Sequence, residues 1–234
     1  NPIYDIAKLV HKYNSKLLID GAQLIPHAPF IMNSIKTEYN IDFLVFSAHK
    51  MYAPFGTGVL IGPKCILDNC KPDLVGGGTV DIVTHDFVKW NESPQRHEAG
   101  SPNVIGSIAL ASAIGMLNKI GMDTVECIEK NLTSYATAKL KNIPNINIYS
   151  DTSRYVGKVS IIPFNICGMH HALVAKILSY EWGISVRSGC FCAQPYLVKL
   201  LGISNEFLIK RLKNPNLYHP GMVRLSFGLY KDRK

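Results

Sequence analysis

The sequence has 234 residues, enough for one large domain or for a large domain with a smaller one. Hydrophobic residues make up 47% and charged residues 18%, which excludes a disordered chain. The formal net charge of +8 is scattered, with short basic runs only at Lys210-Arg211-Leu212-Lys213 and Lys231-Asp232-Arg233-Lys234, so a solvated basic surface is expected and nucleic acid is not an expected partner.

Ile3, Ile6, Ala7, Val10 and Tyr13 recur at helical spacing and predict a helix over 2–14 with one buried stripe. Lys16-Leu17-Leu18-Ile19-Asp20 reads as a short buried strand ending on an acid, residues 41–47 as a second and 58–62 as a third. Apolar strands separated by helical stretches predict a sheet covered on both faces. Such sheets bind ligands beyond the carboxyl ends of their strands, where Asp20 and Ser47 stand. Gly76-Gly77-Gly78 reads as a flexible loop. The small apolar residues of 104–120 predict a closely packed helix, and a polar helix follows over 122–141 until Pro144 and Asn145 break it. Strands at 146–150 and 158–164, a helix at 170–180 and a strand at 184–187 then predict a smaller α+β domain. The expected division is therefore 1–122 and 123–234. No apolar run reaches the length of a bilayer, so no membrane span is expected. The six cysteines (65, 70, 127, 167, 190 and 192) match neither a disulfide scaffold nor a paired zinc motif. No metal is expected, and a reducing cytoplasm is the expected compartment.

Two short segments carry chemistry. In Asp20-Gly21-Ala22-Gln23, an acid at the end of a strand either caps the next turn or pairs with a buried cation. A protonated pyridine nitrogen is one such cation. In Ser47-Ala48-His49-Lys50, thirty residues on, a lysine just past a strand can reach a ligand at the strand ends and condense with a carbonyl cofactor. Ser47 and His49 beside it can donate to a phosphate. Taken singly, Lys50 would be a surface residue.

Taken together, Asp-x-x-Gln, a strand, Ser-x-His-Lys and Gly-x-Gly-x-Leu resemble the signature of class V, fold-type I pyridoxal-phosphate enzymes. Arg96-His97-Glu98-Ala99-Gly100-Ser101-Pro102-Asn103 resembles a segment of the group II (SUF-type) cysteine desulfurases, a group allied to selenocysteine lyases. The resemblance continues through Gly168-Met169-His170-His171-Ala172, Val186-Arg187-Ser188-Gly189 and Cys192-Ala193-Gln194-Pro195 to Arg224. It implies an α/β fold: the C-terminal part of a fold-type I large domain with a mainly parallel sheet, followed by a smaller α+β domain. It implies pyridoxal 5'-phosphate as cofactor, with Lys50 as its Schiff-base lysine, Asp20 on the pyridine nitrogen, Gln23 on the ring hydroxyl, and Ser47 and His49 on the phosphate. Ser101 would reach the phosphate of a partner subunit, implying a homodimer. Arg224 would clamp the substrate carboxylate, Arg187 would be a second substrate-binding arginine, and Cys192 would be the nucleophile, with Lys50 and His49 also catalytic. The implied reaction converts L-cysteine to L-alanine, leaves a persulfide on Cys192 and passes sulfur to an acceptor protein. The resemblance also implies that the family's upstream half, and a last helix beyond Tyr230, lie outside this sequence.

The sequence departs from the group at two points. Gly189-Cys190-Phe191-Cys192 places a second thiol where the group usually has histidine, a form that also resembles molybdenum-cofactor sulfurases. Cys190 is open to three readings: spare nucleophile, resolving thiol or buried bystander. Arg224 follows Cys192 by 32 residues, more than the group's usual interval, through an amphipathic basic stretch from Leu200 to His219. Another class V reaction, by an aminotransferase or epimerase, and a cofactor-free scaffold remain as alternatives. His85, His170 and His171 are expected to start helices or fill the core.

Overall fold

The computed structural model describes residues 2–33, 36–149 and 159–229, and the chain divides into two compact units, 1–126 and 127–234. The first unit opens with α1 (Ile3–Lys12), which turns Ala7 fully inward and half-buries Ile3 and Val10. Ile6 and Tyr13 are exposed, so the buried seam is narrower than the sequence pattern predicts. Strands β1 (Leu18–Asp20), β2 (Phe43–Ser47) and β3 (Gly58–Ile61) form a three-stranded sheet in that order, β1 parallel and β3 antiparallel to β2. The expectation of three buried strands is corrected. Leu44 of β2 is buried, whereas Leu18, Leu60 and Ile61 are exposed. Among the described residues β2 lies between the other two strands, while β1 and β3, which carry the exposed Leu18, Leu60 and Ile61, are each paired along one side.

A polar lock ties α1 to this sheet. Asp42, just before β2, accepts the backbone N–H of Leu17 at 2.9 Å, Lys16 Nζ at 2.9 Å and His11 Nε2 at 2.8 Å. The other ring nitrogen of His11 faces the carbonyl oxygen of Glu38 at 3.0 Å, so both nitrogens serve as donors and the ring is held as an imidazolium. Burial alone would raise the Asp42 carboxyl, but these hydrogen bonds outweigh it and bring it down to about 2.

Beyond β3, α2 (Lys64–Leu67) leads to a hairpin of β4 (Val80–Val83) and β5 (Val88–Trp90). The glycine loop before it is pinned, not loose: Thr79 is fully buried and its hydroxyl donates to the Gly76 carbonyl at 2.7 Å, while Gly100 N–H donates to the Gly77 carbonyl at 2.8 Å. Helices α3 (Val104–Ile120) and α4 (Met122–Lys141) follow the predicted bounds. α3 packs through one face only, burying Gly106, Leu110, Ala113 and Leu117, while Ile105 and Ile108 are exposed. No single helix among the described residues is long and apolar enough to cross a membrane.

The second unit contains an antiparallel sheet in the order β6-β7-β9-β8, formed by β6 (Ile146–Ile148), β7 (Ile161–Ile166), β8 (Arg187–Gly189) and β9 (Met222–Ser226). Phe164, Val174 and Val223 form its core against α5 (His171–Trp182). The strand expected from 146 begins there, at Ile146, and the strand expected over 158–164 runs over Ile161–Ile166; residues 150 and 158, with Tyr230 and the basic run 231–234, lie outside the described residues. The strand expected over 184–187 begins only at Arg187, because Ile184 N–H bonds the Leu178 carbonyl to close α5 over the left-handed Gly183. Two short helices, α6 (Gln194–Leu200) and α7 (Asn205–Lys213), occupy the interval before β9.

The Asp42 lock sets a testable pH dependence. A carboxyl lowered on folding contributes stability that is complete above its unfolded value of about 4 and is lost as pH falls toward 2. His11 is raised, first by its hydrogen bond to Asp42, so its contribution is complete below about 6.5 and lost at higher pH. Asp42→Asn is expected to lower stability at neutral pH by about 2 kcal/mol and to flatten the acid limb, as read by urea unfolding across pH.

Candidate active site

Parallel pairing brings the two chemical segments of the first unit to one edge. Asp20 pairs with Val45, so β1 ends two residues before β2 does, and both strands run in the same direction. At ~4.8 Å between strands and ~3.3 Å per residue, the Asp20 and Ser47 backbones stand about 8 Å apart at the carboxyl ends. Asp20 is exposed, which corrects the picture of a buried acid. One of its oxygens accepts the Ala22 N–H at 3.0 Å, a local turn, and its side chain has no cationic partner among the described residues. Gly21 N–H bonds the Val45 carbonyl at 2.8 Å and keeps the segment against β2, and Gln23 follows half-buried.

After Ser47 the chain makes a 3-10 turn over Ala48–Met51. Ala48 and Met51 are buried, which leaves Lys50 half-buried and His49 exposed. Tyr52 closes the turn in the left-handed region with φ 63°. The side chains of Ser47, His49 and Lys50 have no hydrogen-bond or ion-pair partner among the described residues, so their polar groups remain available to a ligand.

What holds this turn was not singled out in the sequence. Ala48 N–H bonds the Thr57 carbonyl at 2.8 Å, and α3 packs against the turn. Asn103 caps α3 by accepting from Gly106 N–H at 3.0 Å, while its amide donates to the Phe55 carbonyl at 2.6 Å and to the Thr57 hydroxyl at 3.0 Å. The visible signal was an asparagine immediately before an apolar helical run. Ser101, two residues earlier, is exposed.

The second unit holds another cluster. Arg187 and Arg224 are direct cross-strand partners on β8 and β9, so their side chains leave the same face. Such a like-charge pair is destabilising unless an anion lies between the heads. Arg224 Nε is buried and without a hydrogen-bond partner, and neither arginine meets a carboxylate among the described residues. Burial and then the neighbouring Arg187 push the Arg224 guanidinium down, and Cys192 pushes it up. The guanidinium also lies 5.3 Å from the centre of the Phe191 ring. Cys192 is exposed in a turn whose residues Phe191 (φ 54°) and Cys192 (φ 59°) are left-handed, whereas Cys190 is half-buried and its thiol is pushed up by burial. His170 caps α5 and His171 is 8% exposed, both serving the structure, while His85 is exposed beside the β4–β5 turn.

An α/β unit with an uncommitted lysine at the carboxyl ends of its strands, followed by an antiparallel unit with paired arginines and an exposed cysteine, has the architecture of the fold-type I pyridoxal-phosphate enzymes. The sequence matches the family model described as "Aminotransferase class-V" over residues 1–234, and the chain belongs to that enzyme family. It is 39% identical over 228 residues to a cysteine desulfurase of Wigglesworthia glossinidia brevipalpis, covering 97% of this chain and 49% of that protein. It is 34% identical over 198 residues to a cysteine desulfurase of Shigella sonnei, covering 84% and 47%. The fold is similar to the cysteine desulfurase CsdA (S-sulfonic acid) of Escherichia coli, with TM-score 0.81 and 29% identity over 99% of this chain and 51% of that one. It is likewise similar to the apo cysteine desulfurase of Thermococcus onnurineus NA1, with TM-score 0.80 and 30% identity over 99% and 52%. The chain spans about half the length of these relatives.

The brace on the Lys50 turn is open to direct test. A Cβ on Gly106 would collide with the Thr57 hydroxyl and the Asn103 amide. Gly106→Ala is expected to destabilise the first unit by about 1–3 kcal/mol and to loosen the Lys50 turn, read by thermal unfolding and by faster amide hydrogen exchange at Ala48.

Proposed function

We propose that this chain carries the cofactor lysine and the sulfur-accepting cysteine of a pyridoxal-phosphate-dependent cysteine desulfurase. The observation that carries the reading is the Arg187–Arg224 pair with its buried, unpartnered Nε beside the exposed Cys192. Two guanidiniums side by side fit a carboxylate, which amino-acid substrates possess, and their planar forks orient it.

The residues at the strand ends of the first unit fit the cofactor's chemistry. Lys50 supplies a primary amine for its aldehyde, Ser47 and His49 supply donors for its phosphate, Gln23 supplies an amide for its ring hydroxyl, and Asp20 supplies a carboxylate for its pyridinium. When bound, the cofactor serves as an electron sink for charge developing at the substrate Cα.

Around that chemistry the chain's own groups act in sequence. Arg224 and Arg187 fix the substrate carboxylate. The Lys50 amine takes the proton from Cα at Nζ. The Cys192 thiolate attacks the substrate sulfur, forming an S–S bond as the Cβ–S bond breaks. The departing electron pair stays with the carbon skeleton, which regains protons and leaves as alanine, while the sulfur stays on Cys192 as a persulfide. A sulfur-acceptor protein would then take it up. Exposed Ser101 would face the cofactor phosphate of a partner subunit in a homodimer.

Cys192→Ala is expected to cut alanine formation from L-cysteine by on the order of 10³ or more while leaving the cofactor's absorption in place. Full alanine release by that variant, with reductant present, would overturn the role of Cys192.

A further inference from the structure

The Gly-Cys-Phe-Cys segment places two thiols two residues apart, and the structure gives them opposite surroundings. Strands β8 and β9 stop pairing at Gly189–Met222. Just past that point the Cys190 thiol donates to the Pro220 carbonyl at 3.3 Å, continuing the junction through a side chain where the backbone ladder ends. The same carbonyl faces His219 Nδ1 at 2.8 Å. The His219 carbonyl in turn accepts His171 Nε2 at 2.9 Å and lies 3.2 Å from His170 Nε2, both at the start of α5. Two consecutive carbonyls thus gather a thiol and three imidazoles. Burial pushes the Cys190 thiol up and so keeps its proton for this contact.

The turn that follows needs such an anchor. Phe191 and Cys192 both have left-handed backbones, which cost non-glycine residues roughly 1 kcal/mol each and persist only where their surroundings impose them. Within the turn, Ala193 N–H bonds the Cys190 carbonyl at 2.9 Å, so Cys190 is its base on the strand side.

We infer that Cys190 is neither a second nucleophile nor a resolving thiol but a positioning residue, whose hydrogen bond to the Pro220 carbonyl holds the Cys192 turn against Arg224 on the adjoining strand. The inference deepens the proposed function by assigning the second thiol. Its test uses no substrate or cofactor, so its failure and the failure of the desulfurase reading are separable.

The test is alkylation of the protein by iodoacetate and by iodoacetamide, with the rate at each cysteine read by peptide mass spectrometry. The ratio of the two rates at one thiol cancels its thiolate fraction and reports the local positive charge. Cys192, beside two guanidiniums, is expected to favour the anionic reagent about fivefold over the exposed Cys65 and Cys70, and 1 M KCl should abolish the preference. Cys190 should react slowest. Cys190→Ala should bring the Cys192 ratio down to that of Cys65, and Cys190→Ser, which keeps a donor, should restore it. Cys190 reacting as fast as Cys192, a ratio unchanged in Cys190→Ala, or no rescue by serine would each overturn the inference. If the alanine variant does not fold, the wild-type rates and the serine variant still decide.

Discussion

The parallel pairing of β1 with β2 is the constraint on which the candidate cofactor site depends. Parallel strands deliver their carboxyl ends to one edge of a sheet, and the Asp20–Val45 register sets how far apart the two chemical segments emerge. A slip of one residue would turn Asp20 to the opposite face and bury a carboxylate where Leu44 now packs. The other features of the first unit secure this geometry. Asp42 ties the far end of β2 to α1 and Leu17, and Asn103 ties the Lys50 turn to α3. Each tie is a polar side chain that bonds both backbone and side-chain partners, and neither involves the side chains of Ser47, His49 and Lys50.

The second unit solves a different problem with antiparallel register. Pairing β8 with β9 forces two guanidiniums together, and the Phe191 ring covers one of them. A sheet built for stability alone would place opposite charges across such a pair. Two like charges, one with a buried Nε that has no hydrogen-bond partner among the described residues, are the observation on which the proposed carboxylate-binding role rests. The strained turn bearing Cys192 begins one residue beyond the same strand pair, so the strands that pair the two arginines also place the thiol.

Much of this was legible in the sequence, for physical reasons that differ by segment. α3 and α4 showed their lengths because an apolar and a polar helical run met at a glycine. β2 was legible because its apolar run is central, whereas burial on β1 and β3 was not, since a two-neighbour strand and an edge strand carry similar residues. The β4–β5 hairpin was missed because its strands are short and closed by Thr84 and Phe87 without a glycine turn signal. Arg187 and Arg224 were picked out only through family resemblance, because their adjacency arises from a register between strands 37 positions apart. The thiol strut was invisible for the same reason: Cys190 meets the carbonyl of Pro220, two residues before another strand begins.

The central claim of the proposal is that Lys50 would be the residue to which pyridoxal phosphate attaches. Reduction of the pyridoxal-phosphate-treated protein with borohydride, followed by peptide mapping, addresses it most directly. The account predicts a phosphopyridoxyl group on Lys50 at near-stoichiometric yield, with the other lysines labelled only in trace. Labelling spread over exposed lysines with none on Lys50 would contradict it.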